Sequence, residues 1–288
     1  MNAENDKVIK PDSPRNEGTS EETFDFTDMI ERIAPYTMSF VVKGKSAVHP
    51  MGSGTWVNFG GIEGVLTAAH VLEELLAQEK IGIMCYGTRS TETQSFEIDL
   101  TEAEAIRFGE APWTRSGPDL GFLRIPSQRL GTIKAIGSFV NAEKHYADML
   151  SGEPASKDRI EIVSGGVAEW VTEAERTTKL LKTSLPGLAN VGRIVSVADV
   201  GQFDVLRFEP TPVELKLPES FKGMSGGGLW RIFIKKEEDG SFSFVSRRLV
   251  GVAFYEAVHD EKLEIFCHGP KSIYNQLATA IKKKWPGA

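Results

Sequence analysis

Over 288 residues, 40 acidic side chains against 33 basic ones leave a net charge of −7, which argues against a general affinity for nucleic acid. With 41% hydrophobic and 25% charged residues the composition is that of a globular protein and excludes a fibrous or wholly disordered class, and the length allows two domains, each with its own core. No apolar run approaches the roughly eighteen residues of a membrane helix, and the start Met1-Asn2-Ala3-Glu4-Asn5-Asp6-Lys7 lacks the basic-then-apolar pattern of a secretory signal, so the expectation is a cytoplasmic protein without membrane contact.

Taken in chain order, residues 1–24 are polar, carry Pro11 and Pro14 and show no hydrophobic period, which predicts a disordered tail. A strand is expected at 37–42. The runs 52–59 and 63–67, joined by Gly60-Gly61, predict a hairpin. A short helical patch follows at 71–76, then strands at 81–86 and 95–100. A loop with Pro112, Gly117 and Pro118 leads into Asp119-Leu120-Gly121-Phe122-Leu123, an acid at the head of an apolar strand that Pro126 ends. Residues 127–131 read as the link between two domains, 25–127 and 128–288. Beyond it strands are expected at 133–140, 160–171, 192–197, 203–208, 229–234, 242–245 and 249–254. Ile273, Leu277, Ile281 and Trp285 recur at helical spacing and predict one closing helix, stopped by Pro286. Many short strands with glycine and proline turns and almost no helix give an all-β, antiparallel class. Cys85 and Cys267 lie far apart in apolar strand contexts, as buried free thiols of a reducing compartment would. Two thiols and histidines without paired ligand spacing leave no metal site expected, and no cofactor.

One stretch carries chemistry: Lys222-Gly223-Met224-Ser225-Gly226-Gly227-Gly228, a serine among glycines. A serine hydroxyl becomes a nucleophile when a base takes its proton, and glycines let consecutive amides converge on a forming oxyanion. Of the five histidines, His70 follows a strand-like run ending in small residues, Gly64-Val65-Leu66-Thr67-Ala68-Ala69, and suits the base. Asp119 suits the orienting acid, with Asp99 and Asp204 as rivals between His70 and Ser225.

Thr67-Ala68-Ala69-His70, Asp119-Leu120-Gly121-Phe122-Leu123 and Gly223-Met224-Ser225-Gly226-Gly227, in that order, resemble the chymotrypsin/trypsin-like serine peptidases, in particular a bacterial-type member without disulfides. The resemblance implies two six-stranded antiparallel β-barrels with the site in the cleft between them. It implies His70, Asp119 and Ser225 as a catalytic triad, the backbone N–H groups of Gly223 and Ser225 as the oxyanion hole, and a protein or peptide as substrate. By motif offset, Glu219 and Glu256 fall at the floor and wall of the primary specificity pocket, where a carboxylate favours Lys or Arg. Three departures matter. Met224 stands where processed relatives carry an aspartate that pairs with a new amino terminus, Gly228 replaces a proline, and Phe254 falls where a serine often helps hold the aspartate. The resemblance therefore implies activity without amino-terminal trimming; because an active protease loose in the cytoplasm would be hazardous, a regulatory protein partner is expected as well. Two other classes stay open: a catalytically silent, protease-shaped binding or regulatory module, and an esterase using the same serine.

Overall fold

The computed structural model describes residues 27–43, 48–86, 93–152, 154, 158–170, 172–177, 180–184, 187–211, 217–259 and 262–286; the expected tail at 1–24 lies outside them. The described chain is mostly β and forms two large sheets that follow one another in sequence. The first contains β1 (Thr37–Lys43), β2 (Val48–Phe59), β3 (Ile62–Thr67), β4 (Lys80–Tyr86), β5 (Thr93–Asp99), β6 (Ala105–Phe108) and β7 (Leu120–Arg124), in the spatial order β5-β4-β1-β2-β3-β7-β6. A two-residue strand, β8 (Val140–Asn141), pairs with β2 in parallel. The β2–β3 hairpin turns at Gly60 and Gly61, both at positive φ, which a tight two-residue turn of this hand requires. The Asn58 side chain accepts the Gly61 N–H at 2.9 Å and closes it.

The second sheet contains β9 (Asp158–Gly166), then, after the separate hairpin β10 (Thr172–Thr177) and β11 (Leu180–Ser184), β12 (Gly187–Val200), β13 (Phe203–Pro210), β14 (Gly228–Lys236), β15 (Phe242–His259) and β16 (Lys262–His268). Its strands pair in the ring β12-β13-β16-β15-β14-β9, and β9 returns to β12, so no strand is left at an edge along the ring. The first sheet is different: its path ends at β5 and β6, which do not pair with each other. The expectation of two six-stranded barrels is thus finer than the pairings. The antiparallel all-β class stands, one sheet closes with six strands, and the other is an open path with an added strand.

The helices are α1 (Thr27–Ile33), α2 (Ala69–Leu75), α3 (Ser127–Ile136), α4 (Ala142–Leu150) and α5 (Ala278–Lys284). Two of them correct the reading of the sequence. Residues 127–136 were expected as a link and the start of a strand, and they form α3: Pro126 sets the φ of the helix entry and Leu130, Ile133 and Ile136 place one apolar side chain per turn, with Ile133 fully buried. Helix α4 was not expected at all, although Asn141 caps it by accepting the Lys144 N–H at 2.9 Å. The closing helix is present, but its first part, Lys271–Leu277, is π-helical, anchored where Asp204 accepts from the Lys271 and Ser272 amides and the Ser272 hydroxyl.

Apolar burial explains how the sheets hold together. Phe40, Trp56, Val65, Leu72 and Ile83 fill the inside of the first sheet, and Val163, Phe208, Leu229, Val250 and Cys267 fill the ring. A third cluster joins them, with Val57 and Phe122 from the first sheet against Trp230 and Ile232 from the second and Ile273, Leu277 and Ile281 from the chain's end. Trp285 packs its ring on Phe122 and donates its Nε1 proton to Glu104, so the last helix, next to the second sheet in sequence, is fastened to the first. Both cysteines are buried and free; burial pushes the Cys85 thiol up to about 12 and Cys267 higher still, which leaves them unreactive. No helix among the described residues is long and apolar enough to cross a membrane.

Candidate functional site

Strand register places the histidine beside the aspartate. In the antiparallel pair of β3 and β7, Thr67 faces Gly121, so the chain leaving β3 towards α2 and the chain entering β7 lie at the same end of the sheet. His70, the second residue of α2, donates its backbone N–H to Asp119 Oδ1 at 2.9 Å, and its Nδ1 lies 2.6 Å from Asp119 Oδ2. An ionised carboxylate only accepts, so Nδ1 carries the proton and the neutral ring keeps a lone pair on Nε2. The Asp119 side chain is 1% exposed and that of His70 is 24% exposed, a buried acid holding an imidazole at the rim of a cleft.

Behind Asp119 stands a second histidine. The Asp119 backbone N–H donates to His268 Nε2 at 2.9 Å, which makes His268 a neutral ring with its proton on Nδ1. No hydrogen bond of ordinary geometry reaches that Nδ1 among the described residues. Burial pushes the His268 pKa down to about 4, against the opposing pull of Asp119 and Asp204. Phe254 stacks on the His268 ring, 4.3 Å between centroids and 19° between planes. The stack steadies the ring that holds the Asp119 backbone N–H, and the carboxylate is left to His70.

The serine turn is built by different means. Met224, 1% exposed, anchors it in the core of the ring beside Val163 and Leu229 and serves as an apolar plug. The Met224 N–H donates to Phe221 O at 2.9 Å, the Gly226 N–H to Ala253 O at 2.7 Å and the Gly227 N–H to Met224 O at 2.8 Å. Gly226 has φ +92°, and a Cβ there would sit 2.0 Å from the Ser53 carbonyl oxygen, so no other residue fits. Between these satisfied donors, the N–H groups of Gly223 and Ser225 have no partner among the described residues, and neither does the Ser225 hydroxyl, which is not hydrogen-bonded to His70.

His70, Gly223 and Ser225 line one cleft of about 540 Å³ between the sheets. Met51, Glu74 and Trp113 border it on the first side, the Trp113 ring 6.0 Å from that of His70, and Phe221, Tyr255 and Ile265 on the second. The two carboxylates expected in a specificity pocket separate. Glu256 lines the cleft and accepts from the Ser220 hydroxyl at 2.6 Å and the Phe221 N–H at 2.5 Å. Glu219 is exposed outside it, its own N–H donated to Glu169. The rival acids are elsewhere: Asp99 is exposed and bonded to Thr101, which holds its carboxyl below the usual range, and Asp204 anchors the π-helical turn. Among the described residues no group of three or more His, Cys, Asp or Glu is placed to share a metal ion.

No protein-family model matches the chain, and no curated protein does. Among solved structures it is similar, at 11% identity and a TM-score of 0.41 over 84% of this chain and 90% of the other, to one described under coupled folding and binding of the intrinsically disordered Sesbania mosaic virus VPg protein. Similarity at that level leaves the chemistry to be read from the site itself.

Reading the residues alone missed His268, Ser53 and Trp113. His268 had a signal, since it closes the apolar strand Leu263-Glu264-Ile265-Phe266-Cys267 just before Gly269-Pro270. Ser53 and Trp113 had none, because their importance depends on partners far away in sequence.

Proposed function

We propose that this chain is a trypsin-like serine endopeptidase in which His70, Asp119 and Ser225 act as a triad within a two-lobed, chymotrypsin-like fold. The observation that carries this is the coincidence, on one cleft, of a carboxylate-held imidazole with a serine flanked by two unengaged amides. Ser225 Oγ attacks a peptide carbonyl carbon as its proton passes to His70 Nε2, and the carbonyl oxygen, now an oxyanion, accepts from the Gly223 and Ser225 N–H groups. The imidazolium is stabilised by Asp119 and returns the proton to the departing amine as the C–N bond breaks. Water then repeats the sequence on the acyl-enzyme and frees the carboxylic acid. The missing Ser225–His70 hydrogen bond is compatible with this, since such contacts are often long in unliganded sites and tighten with substrate. Apolar walls from Phe221, Tyr255 and Ile265 with the Glu256 charge among them suit the stem and charge of Lys or Arg before the scissile bond.

A fluorophosphonate probe should label the parent at Ser225 and lose its signal in Ser225→Ala and His70→Ala, and casein should be cleaved by the parent. A folded parent that takes no label would sink the hydrolase reading and leave the protease-shaped binding module, which the unengaged Ser225 hydroxyl favours. Label without casein cleavage, but with turnover of activated esters, would leave the esterase.

A further inference from the structure

Four consecutive carbonyls of the serine turn are held in place. Lys222 O accepts from the Ala168 N–H at 2.8 Å, Gly223 O from the Ser53 hydroxyl at 2.7 Å, Met224 O from the Gly227 N–H at 2.8 Å and Ser225 O from the Ser53 N–H at 2.7 Å. A trans peptide unit is planar, so fixing a carbonyl fixes the direction of the N–H on the following residue, pointing the opposite way. The Gly223 and Ser225 amides are therefore aimed by the holds on Lys222 O and Met224 O, and they are joined by the Gly223–Met224 peptide, whose carbonyl Ser53 holds. Two of the four holds come from one residue, and that residue belongs to the other sheet.

Ser53 lies in β2 and is fully buried. Its Oγ accepts the Gly166 N–H at 2.8 Å, and its single hydroxyl proton goes to Gly223 O, so the hydroxyl has no rotational freedom left. Its carbonyl accepts the Thr67 hydroxyl at 2.8 Å, which ties it back to the end of the strand that leads to His70. Without the hydroxyl, the Gly223–Met224 peptide is held only through the Met224 N–H. Gly223, at φ +94°, is the residue of the turn freest to change its backbone.

We propose that Ser53 is the positioning residue of this site: its hydroxyl, reaching from the first sheet, fixes the peptide that joins the Gly223 and Ser225 amides and so keeps the two converged on the developing oxyanion. The inference rests on the hydrolase reading above. It also supplies what Met224 cannot, since a buried methionine offers no charge to pin the turn and the hold comes instead from a neutral hydroxyl already in place.

The test uses the full chain with a peptide substrate and a peptidyl trifluoromethyl ketone, whose adduct carries an oxyanion. Ser53→Ala should lower kcat roughly 10- to 100-fold, the scale of a slightly misplaced reacting geometry, with KM changed less than about threefold. The ketone should bind more weakly by a similar factor, and the pH midpoint of kcat/KM should not move, because His70 and Asp119 are untouched. Tyr274→Phe removes a buried hydrogen bond to Leu249 O outside the cleft lining and should lower Tm while keeping kcat. If Ser53→Ala does not fold, Ser53→Cys, which keeps a weaker donor, carries the same readout at smaller size. A parent that turns over substrate while the Ser53 variant keeps its kcat and ketone affinity, or loses no more than Tyr274→Phe does, would overturn this inference alone. A folded parent inert to fluorophosphonate would overturn the hydrolase reading and this inference with it.

Discussion

Asp119 has two sides, and a histidine stands on each. On the cleft side His70 meets the carboxylate with its ring partly exposed, and on the inner side His268 meets the backbone N–H with its ring fully buried. The chemistry of the two side chains is the same and their surroundings divide the work. The ring at the rim lies against a buried carboxylate and is open to the cleft. The buried ring is held neutral by desolvation and serves as a fixed acceptor. In the proposed reaction it is burial, more than residue type, that decides which histidine can reach a substrate.

The largest effect that sharpens this contrast should come from the cleft side. Asp119→Asn keeps the shape but favours the wrong His70 tautomer, and kcat for the proposed peptidase reaction should fall roughly 10⁴-fold with Tm little changed; a loss under tenfold would show that the carboxylate is not orienting a base. On the inner side, His268→Leu leaves the Asp119 N–H buried and unpaired. Stability should drop by about 1–3 kcal/mol in urea unfolding, with kcat reduced far less than in Asp119→Asn. Equal kcat losses in the two variants would erase the distinction between the two sides.

The third effect is graded with pH. The His268 pKa is lowered to about 4 by burial, and so is that of His145, whose Nδ1 accepts the Leu249 N–H. Between the ordinary histidine range and pH 4 the unfolded chain binds more protons than the folded one, so stability is intact above about pH 6.5 and is lost as pH falls, by roughly 1.4 kcal/mol per pH unit for each histidine. His268→Leu should remove one share of that slope in unfolding experiments between pH 4 and 6.5. The smallest effect concerns selectivity: in a panel of peptides varied before the scissile bond, Glu256→Gln should reduce the preference for Lys and Arg by a few-fold, an effect limited by the two hydrogen bonds that already engage this carboxylate.

Much of the candidate site was legible because its signals are local. Thr67-Ala68-Ala69-His70 at a strand end, Asp119 after a Gly-Pro turn and the glycines around Ser225 are each compact backbone instructions, and His70 and Asp119 do meet. The helix at Ser127–Ile136 was misread because a short apolar pattern without a side-chain cap fits either period, and packing of Ile133 settled it. Glu219 was placed by counting along a loop, and loop length does not determine where a side chain ends up.

Residue types and their order thus determined the β-rich class, the hairpin at Gly60-Gly61, the apolar stripe of the closing helix and the three chemical motifs, since each depends on neighbours within a few positions. Only the tertiary structure decided that one sheet closes and the other stays open, that His268 and Phe254 brace the aspartate, and that Ser53 reaches across to the serine turn. The Asp119–His268 and Ser53–Gly223 contacts join residues more than a hundred positions apart, and all of these geometries come from strand register and the packing of two sheets, which no stretch of sequence carries alone.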